Sequence, residues 1–144
     1  MRELVGDLWD FYDVGDWVGI TTNGDVSREG LAIMGKGVAK EAAEWISPLR
    51  FLLGQALRQG GNHVHVFCKH RIVTIPVKCH WHAPASKELI ERSFGELVTV
   101  WKDRKDPLYM VRPGCGAGGL KWETVKPLCE KYLDDRFVIV EQEG

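Results

Sequence analysis

Two glycine-rich segments contain the residues of this chain that are best suited to binding an anion. One is residues 111–120, VRPGCGAGGL, and the other is residues 34–39, MGKGVA. Glycine adopts positive φ without steric penalty, so successive backbone N–H groups can point into one concavity that suits a phosphate. A helical pattern follows each segment, and a helix N-terminus adds free N–H groups and the positive end of its dipole. Together the two segments predict a ligand with a diphosphate that is held from both sides.

The two segments do not match the P-loop motif, because the sequence has no Gly-Lys-Ser or Gly-Lys-Thr at P-loop spacing. Residues 114–119, GCGAGG, fit the spacing of GxGxxG, which alone is a weak indication of a dinucleotide fold. ATP bound by a P-loop is therefore disfavoured, and we expect no NAD. Either segment alone could equally be an ordinary tight turn, and the presence of the second is what favours an anion site.

Strand and helix patterns alternate along the chain, and these elements must position the glycine segments. Apolar runs rich in β-branched residues predict strands at residues 17–22, 64–67, 72–77, 108–111 and 137–140, with a shorter candidate at residues 4 and 5. Helical spacing predicts helices over residues 38–46 and 49–57, with a break near Ser47 and Pro48. Ser86 is a good N-cap for a third helix. Pro127 should lie within or just after the first turn of the last helix.

The alternation predicts a central, mostly parallel sheet with helices on both faces. In such sheets ligands bind in a crevice at the carboxyl ends of the strands. Both glycine segments follow predicted strands, so we expect them at that edge of the sheet.

The chain has 144 residues, of which 44% are hydrophobic and 27% charged. These values are typical of a globular protein, and we expect one domain over residues 1–144. A net charge of −1 argues against a strongly basic nucleic-acid surface but allows a local basic patch. The four cysteines are scattered without a CxxC motif, and there is no signal-peptide pattern or apolar run of about 20 residues. We therefore expect a reduced, cytoplasmic protein with no membrane partner.

Five motifs stand in a specific order over nearly the whole chain. They are GDLWDF (6–11), ITTNG (20–24), MGKGVAKEAAE (34–44), IPVKCHW (75–81) and RPGCGAGGLKWETVKP (112–127). The set resembles the macrodomains, a family of ADP-ribose-binding modules. It is most similar to the branch with the DNA ADP-ribosyl glycohydrolase antitoxins and the human terminal ADP-ribose hydrolase, and less similar to the branch with a long triple-glycine catalytic loop. The resemblance implies a three-layer α/β/α macrodomain with a central mixed, mostly parallel sheet of about six strands.

The resemblance also implies contacts at both ends of ADP-ribose. Asp7, with Leu8 beside it, resembles the acid that accepts a hydrogen bond from the adenine amine, a role that suits an acceptor-only carboxylate. Asn23 resembles the asparagine whose amide meets the distal ribose. Two alternatives remain open, an exposed turn aspartate at Asp7 and a plain Asn-Gly turn at Asn23.

The glycine segments match the two phosphate loops of the family. The first loop comprises Gly35, Lys36, Gly37, Val38 and Ala39, in which Lys36 is either a flanking cation or a solvated side chain. The second comprises Gly114, Cys115, Gly116, Ala117, Gly118, Gly119 and Leu120. Cys115 suggests a nucleophile, but no histidine or base is adjacent to it and buried cysteines are commonly inert, so this role is disfavoured.

Lys78 is the residue that the resemblance assigns to catalysis. In the similar enzymes the lysine of this strand-end motif acts at the anomeric carbon of the distal ribose, by covalent or proton-transfer chemistry. Only an unprotonated amine is a nucleophile, so the role requires burial or a neighbouring cation. The alternative is that Lys78 pairs with a phosphate or with solvent. The human hydrolase has a second catalytic aspartate where this chain has Gly118, which puts a two-residue mechanism in doubt and favours the DNA-directed branch.

The motif that follows Lys78, Cys79 to His82, also resembles the DNA-directed branch. His80, Trp81 and His82 are candidate substrate contacts, with Trp81 either stacking on an unpaired base or simply packed in a loop. Alternate residues of an extended segment point to opposite faces, so we expect no metal site here, and we expect no cofactor. Lys69, His70, Arg71 and Lys78 either form a positive groove beside the pocket or belong to a solvated hairpin end.

The expected function is binding of ADP-ribose and lysine-dependent hydrolysis that removes mono-ADP-ribose from a macromolecule, with a thymidine base in DNA favoured. Expected partners are ADP-ribose, free or attached, and ADP-ribosylated single-stranded DNA, with the chain acting as a monomer. Two alternatives remain: a non-catalytic ADP-ribose reader, and a phosphatase or deacylase acting on the terminal ribose of free ADP-ribose.

Overall fold

The computed structural model describes residues 1–142, which form six β-strands and five α-helices. In chain order the strands are β1 (Arg2–Gly6), β2 (Trp17–Thr22), β3 (His65–Phe67), β4 (Ile72–Pro76), β5 (Leu108–Val111) and β6 (Phe137–Gln142). The helices are α1 (Leu8–Asp13), α2 (Gly37–Trp45), α3 (Leu49–Gly60), α4 (Lys87–Trp101) and α5 (Trp122–Tyr132). None of the helices in this described region is both long and apolar enough to cross a membrane.

Within residues 1–142 the six strands form one sheet in the order β1-β6-β5-β2-β4-β3. The strands β1, β6, β5, β2 and β4 run parallel to one another, and β3 pairs with β4 in the antiparallel direction. The prediction of a mixed, mostly parallel sheet of about six strands is therefore confirmed.

A hydrophobic cluster covers each face of the sheet. On one face, Phe94 and Trp101 of α4 and Cys129 of α5 are fully buried. On the other face, Trp9 of α1 and Leu53 of α3 pack against the sheet together with the buried residues of α2. Helices thus lie on both sides, and the predicted three-layer α/β/α arrangement is confirmed.

Helix α4 begins where the sequence predicts. The side-chain oxygen of Ser86 accepts a hydrogen bond from the backbone N–H of Leu89 at 3.2 Å. This bond satisfies one of the free donors in the first turn, an interaction that typically contributes about 1 kcal/mol. The cap fixes where the chain turns after β4, and therefore where the segment between β4 and α4 lies.

Helix α1 is not predicted from the sequence pattern. It has six residues, too few for a clear helical period, and it is held by its cap and by packing. The Asp7 carboxylate accepts a hydrogen bond from the Trp9 N–H at 2.9 Å, and Leu8 and Trp9 are buried against the sheet. Asp7 is therefore an N-cap in the structure, whatever further role it has.

The position of Pro127 also differs from the prediction. It is the sixth residue of α5, in the second turn, because the helix begins already at Trp122. The Trp122 ring N–H donates to the Glu3 carboxylate at 3.1 Å, which ties this first turn to β1. The helix start is therefore stabilised by a contact between distant residues.

Candidate functional site

A cavity of about 260 Å³ opens at the carboxyl edge of the sheet. Its floor is formed by the ends of β2, β4 and β5, which are adjacent in the sheet order. Its walls come from the two glycine-rich segments that the sequence singles out. The residues lining it are Thr21, Thr22, Asn23, Ile33, Met34, Gly35, Lys36, Gly37, Val38, Ala39, Val77, Lys78, Trp81, Val111, Arg112, Gly114, Gly116, Ala117 and Gly118.

The first glycine loop runs into the N-terminus of α2. Gly37 has φ of +58°, in the left-handed region that favours glycine, and it is the first residue of the helix. Gly35 and Gly37 are both open, with no atom within 4 Å of the position that a Cβ would take. Within the described residues no side chain caps α2 at Lys36, so the N–H groups of its first turn have no side-chain partner, and the first three residues of the helix line the cavity. The loop has the free donors that an anion site needs.

The second glycine loop is shaped by close packing at two positions. A Cβ on Gly114 would lie 2.8 Å from the Ile90 side chain, and φ at Gly114 is +73°. A Cβ on Gly118 would lie 2.6 Å from the Gly114 carbonyl oxygen and 2.7 Å from Ala85. By contrast, the described structure has no atom within 4 Å of the position that a Cβ on Gly116 would take, and Gly116 lines the cavity. Position 118 therefore has no room for an aspartate in this loop conformation.

Lys78 lies at the end of the cavity, two residues after β4. The backbone around it is well held: the Val77 N–H donates to the Thr22 carbonyl at 3.0 Å and the Asn62 side-chain amide donates to the Lys78 carbonyl at 3.1 Å. Lys78 is only 9% exposed, and its Nζ donates to the Trp81 carbonyl at 3.4 Å. The amine is therefore withdrawn from bulk solvent and faces the cavity.

Asn23 lies on the same floor, directly after β2. Its amide Nδ2 donates to the Ile33 carbonyl at 3.0 Å, and its Oδ1 accepts from the Asp25 N–H at 2.9 Å. The side chain bridges the two ends of the segment between β2 and the first glycine loop. One amide N–H and one carbonyl lone pair are left over for a ligand hydroxyl.

Three aromatic rings cluster beside Lys78 at the mouth of the cavity. The rings of His80 and His82 stack with centroids 5.7 Å apart, and His82 meets Trp81 edge-on at 5.4 Å. Trp81 is 51% exposed and lines the cavity, whereas His80 and His82 lie outside the lining. These rings form an exposed aromatic surface beside the cavity.

Arg112 is a cavity residue that the sequence analysis does not single out. It directly follows β5, packs over the Trp122 ring at 4.9 Å and pairs with Glu141 at 3.2 Å. Its Nε is buried and has no hydrogen-bond partner among residues 1–142. The sequence feature that could have indicated Arg112 is a basic residue at the end of a predicted strand, inside the second glycine segment.

The charged side chains in the cavity lining are all cationic. They belong to Lys36, Lys78 and Arg112, and the lining within residues 1–142 contains no carboxylate. Such a surface favours a ligand with two or more negative charges. It also leaves no acid in place for a lysine-aspartate pair.

Several predicted site residues lie outside the cavity lining. Asp7 and Leu8 follow β1, two strands away from β5, and the Leu8 side chain is fully buried in the core. Any contact from Leu8 would therefore come from its backbone. Gly119 and Leu120 also lie outside the lining, and Leu120 packs against the hydrophobic core.

Cys115 is half-buried, with its side chain packed against the core and outside the cavity lining. Burial raises the pKa of its thiol, and the nearby Arg112 offsets only part of that effect. A thiol that resists ionisation is a poor nucleophile. In the described part of the chain, no group of three or more His, Cys, Asp or Glu side chains is arranged to hold a metal ion.

The suggested positive groove of Lys69, His70, Arg71 and Lys78 is wrong. The first three precede β4 and Lys78 follows it, so the length of the strand separates them. Arg71 donates to the carbonyls of Tyr12 and Asp16 at the opposite edge of the sheet. These residues stabilise the amino end of β4 and do not adjoin the cavity.

Comparisons with known proteins identify the fold. The macrodomain of Mycobacterium tuberculosis DarG is similar with a TM-score of 0.77 and 22% identity, over 99% of this chain and 97% of that one. The macrodomain of Thermus aquaticus DarG is similar with a TM-score of 0.74 and 22% identity, with the same coverage. Thermosipho africanus DarTG in complex with ADP-ribose is similar with a TM-score of 0.73 and 20% identity, over 99% of this chain and 42% of that one. No protein-family model and no curated protein sequence matches the chain. Together with the sheet order and the cavity between two glycine loops, these similarities establish that the chain has the macrodomain fold.

Proposed function

We propose that the chain binds ADP-ribose and releases it from a macromolecule by lysine-dependent hydrolysis, with a thymidine base of single-stranded DNA as the favoured attachment site. The observation that carries the proposal is the cavity itself. Two glycine loops with open backbone donors face each other across it, and the buried amine of Lys78 lies at one end. Binding of ADP-ribose by Thermosipho africanus DarTG, which has a similar fold, supports the choice of ligand.

The strand order supports one orientation of the ligand. Along the carboxyl edge, Asp7 follows β1, Arg112 follows β5, Asn23 follows β2 and Lys78 follows β4. Neighbouring strands lie about 4.8 Å apart, so β1 and β4 are roughly 19 Å apart. An adenine near Asp7 and a distal ribose near Asn23 and Lys78 would place the diphosphate between the two glycine loops.

The chemistry breaks one bond and adds one water. The glycosidic bond between the anomeric carbon of the distal ribose and the base nitrogen breaks, the hydroxyl of water ends on that carbon, and a proton ends on the nitrogen. Lys78 acts either by attacking the anomeric carbon before water does, or by transferring the proton. The absence of a carboxylate among the described lining residues favours a mechanism in which Lys78 is the main reacting side chain.

The rings beside Lys78 support an attached nucleobase. Trp81 is half-exposed at the mouth of the cavity, where a base joined to the distal ribose would leave it. Stacking of a base on an aromatic side chain is sequence-tolerant and is worth about 1–3 kcal/mol. In this proposal the chain acts in the cytoplasm, as a monomer, on bases that are already unpaired.

The test compares release of ADP-ribose from thymidine-modified single-stranded DNA, from ADP-ribosylated protein and from ribose-phosphorylated ADP-ribose. Lys78→Ala is expected to abolish release from DNA while ADP-ribose binding by calorimetry stays nearly unchanged. Lys78→Arg keeps the charge but lacks a readily neutralised amine, so it should also bind without releasing. Lys69→Ala removes an exposed lysine at the opposite edge of the sheet and is the matched control.

The reader and the phosphatase alternatives each have their own outcome in this panel. Release at the wild-type rate by Lys78→Ala contradicts the lysine mechanism. If the wild-type protein binds ADP-ribose but releases none from any substrate, the chain is a reader. If it acts only on the phosphorylated free nucleotide, it is a phosphatase acting on the terminal ribose.

A further inference from the structure

Asp25 lies outside the cavity lining, yet it holds the segment that carries the mouth residues. Its Oδ1 accepts a hydrogen bond from Nδ1 of His80 at 2.9 Å, and its Oδ2 accepts from the Trp81 backbone N–H at 2.8 Å. Both carboxylate oxygens are used, on two consecutive residues that are more than fifty positions away in the chain. The carboxylate therefore fixes the position of this segment relative to the end of β2.

The segment held by Asp25 contacts the amine of Lys78. The Trp81 carbonyl accepts from Lys78 Nζ at 3.4 Å, and the Trp81 N–H on the other side of the same residue donates to Asp25. The Gly24 N–H adds a bond to the Cys79 carbonyl at 3.2 Å. A Cβ at Gly24 would lie 2.8 Å from that carbonyl oxygen, so the two segments are in direct contact. Movement at Asp25 would thus be passed to Lys78 through a single residue.

The charge state of Asp25 suits this role. Burial raises the pKa of its carboxyl group, but the hydrogen bonds from His80 and from the Trp81 N–H outweigh that effect, and the net pKa is below the ordinary value. The group is ionised at neutral pH and accepts both bonds at once. Its side chain is 24% exposed, which leaves little room for water to replace either bond.

The chain repeats the same arrangement at residues outside the cavity lining. Glu96 accepts from Nδ1 of His63 at 2.6 Å and from the Val64 backbone N–H at 2.9 Å. This second carboxylate also holds a histidine and the following backbone amide, and none of its three residues lines the cavity. It is an internal comparison of the same kind of contact, because Glu96 makes no bond to residues 78–81 and is linked to Lys78 only indirectly, through Asn62.

We infer that Asp25 is a positioning residue, which fixes the Lys78 amine at the end of the cavity and Trp81 at its mouth by holding the backbone of residues 80 and 81. The expected effect on the rate of ADP-ribose release rests on the proposed function. The expected effect on residues 80 and 81 rests on the geometry alone. Asp25 itself touches neither ligand nor reacting atoms in this assignment.

The test uses Asp25→Ala, Asp25→Asn and the control Glu96→Ala, and its first readouts need no activity. Amide hydrogen exchange at Trp81 and acylation of Lys78 by an N-hydroxysuccinimide ester, both followed by mass spectrometry, should accelerate in Asp25→Ala. Both should change much less in Glu96→Ala than in Asp25→Ala, whereas exchange at Val64 should accelerate in Glu96→Ala. The rates of Trp81 exchange and Lys78 acylation in Asp25→Asn should lie between those of the wild type and Asp25→Ala, because an amide oxygen can still accept from the Trp81 N–H.

The second readout is release of ADP-ribose from thymidine-modified single-stranded DNA. A displacement of about 1 Å at a reacting group can reduce kcat by roughly 100-fold, so Asp25→Ala should lose about that much in kcat with KM within about 3-fold of the wild type. Unchanged Trp81 exchange and Lys78 acylation in Asp25→Ala would overturn the inference, as would faster exchange with an unchanged kcat. A wild-type protein that releases nothing contradicts the proposed function, while the exchange and acylation results still decide whether Asp25 holds the segment.

Discussion

Gly116→Ala is expected to weaken ligand binding without lowering folding stability. In the structure no atom lies within 4 Å of the Cβ that alanine would add, and φ at Gly116 lies outside the left-handed region. Replacing glycine by alanine at a compatible position raises the free energy of unfolding by about 0.4–1 kcal/mol, chiefly by restricting the unfolded chain. The variant should therefore be as stable as the wild type or slightly more stable.

Binding of ADP-ribose should change in the opposite direction. Gly116 lines the cavity, where the proposed function puts the diphosphate, and its Cβ position is open. A methyl group there keeps a phosphate oxygen from reaching the backbone donors. Loss of one hydrogen bond to a charged group is worth about 1.5–3 kcal/mol, which corresponds to a rise in Kd of roughly 10- to 150-fold.

The assay is calorimetric titration with ADP-ribose, run beside denaturant unfolding of the same preparations. Gly35→Ala tests the facing loop, because Gly35 is equally open and also lines the cavity. Gly95→Ala is the control: it lies in α4, away from the cavity, and is open to solvent as well. Wild-type affinity in both loop variants would refute the idea that these loops hold the diphosphate.

Four further outcomes are expected. Gly118→Ala should lower the free energy of unfolding by about 1–3 kcal/mol in denaturant titration, because the new Cβ overlaps the Gly114 carbonyl oxygen, and stability equal to that of the wild type would contradict the packing described for this loop. Arg112→Met should raise the Kd for ADP-ribose about 10-fold. Cys115→Ala should release ADP-ribose at the wild-type rate, because the Cys115 thiol is packed away from the cavity. Burial raises the pKa of Cys129 to about 12 from 9.0, so between those values the unfolded chain binds fewer protons than the folded one. Stability should therefore fall as pH rises above about 9, by about 1.4 kcal/mol per pH unit from this group, and Cys129→Ala should flatten that part of the wild-type profile.

The parts of the fold that depend on local pattern could be predicted from the sequence. The strands β2 and β5 begin and end where their apolar, β-branched runs do, and Ser86 caps α4 as expected. Helix α1 could not be predicted, because its six residues are held by the Asp7 cap and by burial of Trp9. The start of α5 depends on contacts between distant residues, so Pro127 lies further into the helix than its chemistry alone suggests.

The candidate site was predictable where glycine conformation and motif order define it. The two loops and Lys78 meet in one cavity, as the sequence implies. The prediction of a cationic groove was wrong, because the strand β4 lies between Arg71 and Lys78 and puts them at opposite ends of the sheet. Arg112 and Asp25 were missed because their importance comes from what they face, namely the cavity wall for Arg112 and the Trp81 backbone for Asp25.

The most direct test of the central claim observes the backbone amides themselves. In a titration of the ¹⁵N-labelled protein with ADP-ribose, followed by two-dimensional amide NMR, the largest shifts should fall on both glycine loops, at residues 35–39 and 114–119, and at Lys78. Adenosine, which lacks the diphosphate, should leave both loops nearly unchanged. Shifts confined to one loop, or an absence of shifts at saturating ADP-ribose, would contradict a diphosphate held between the two.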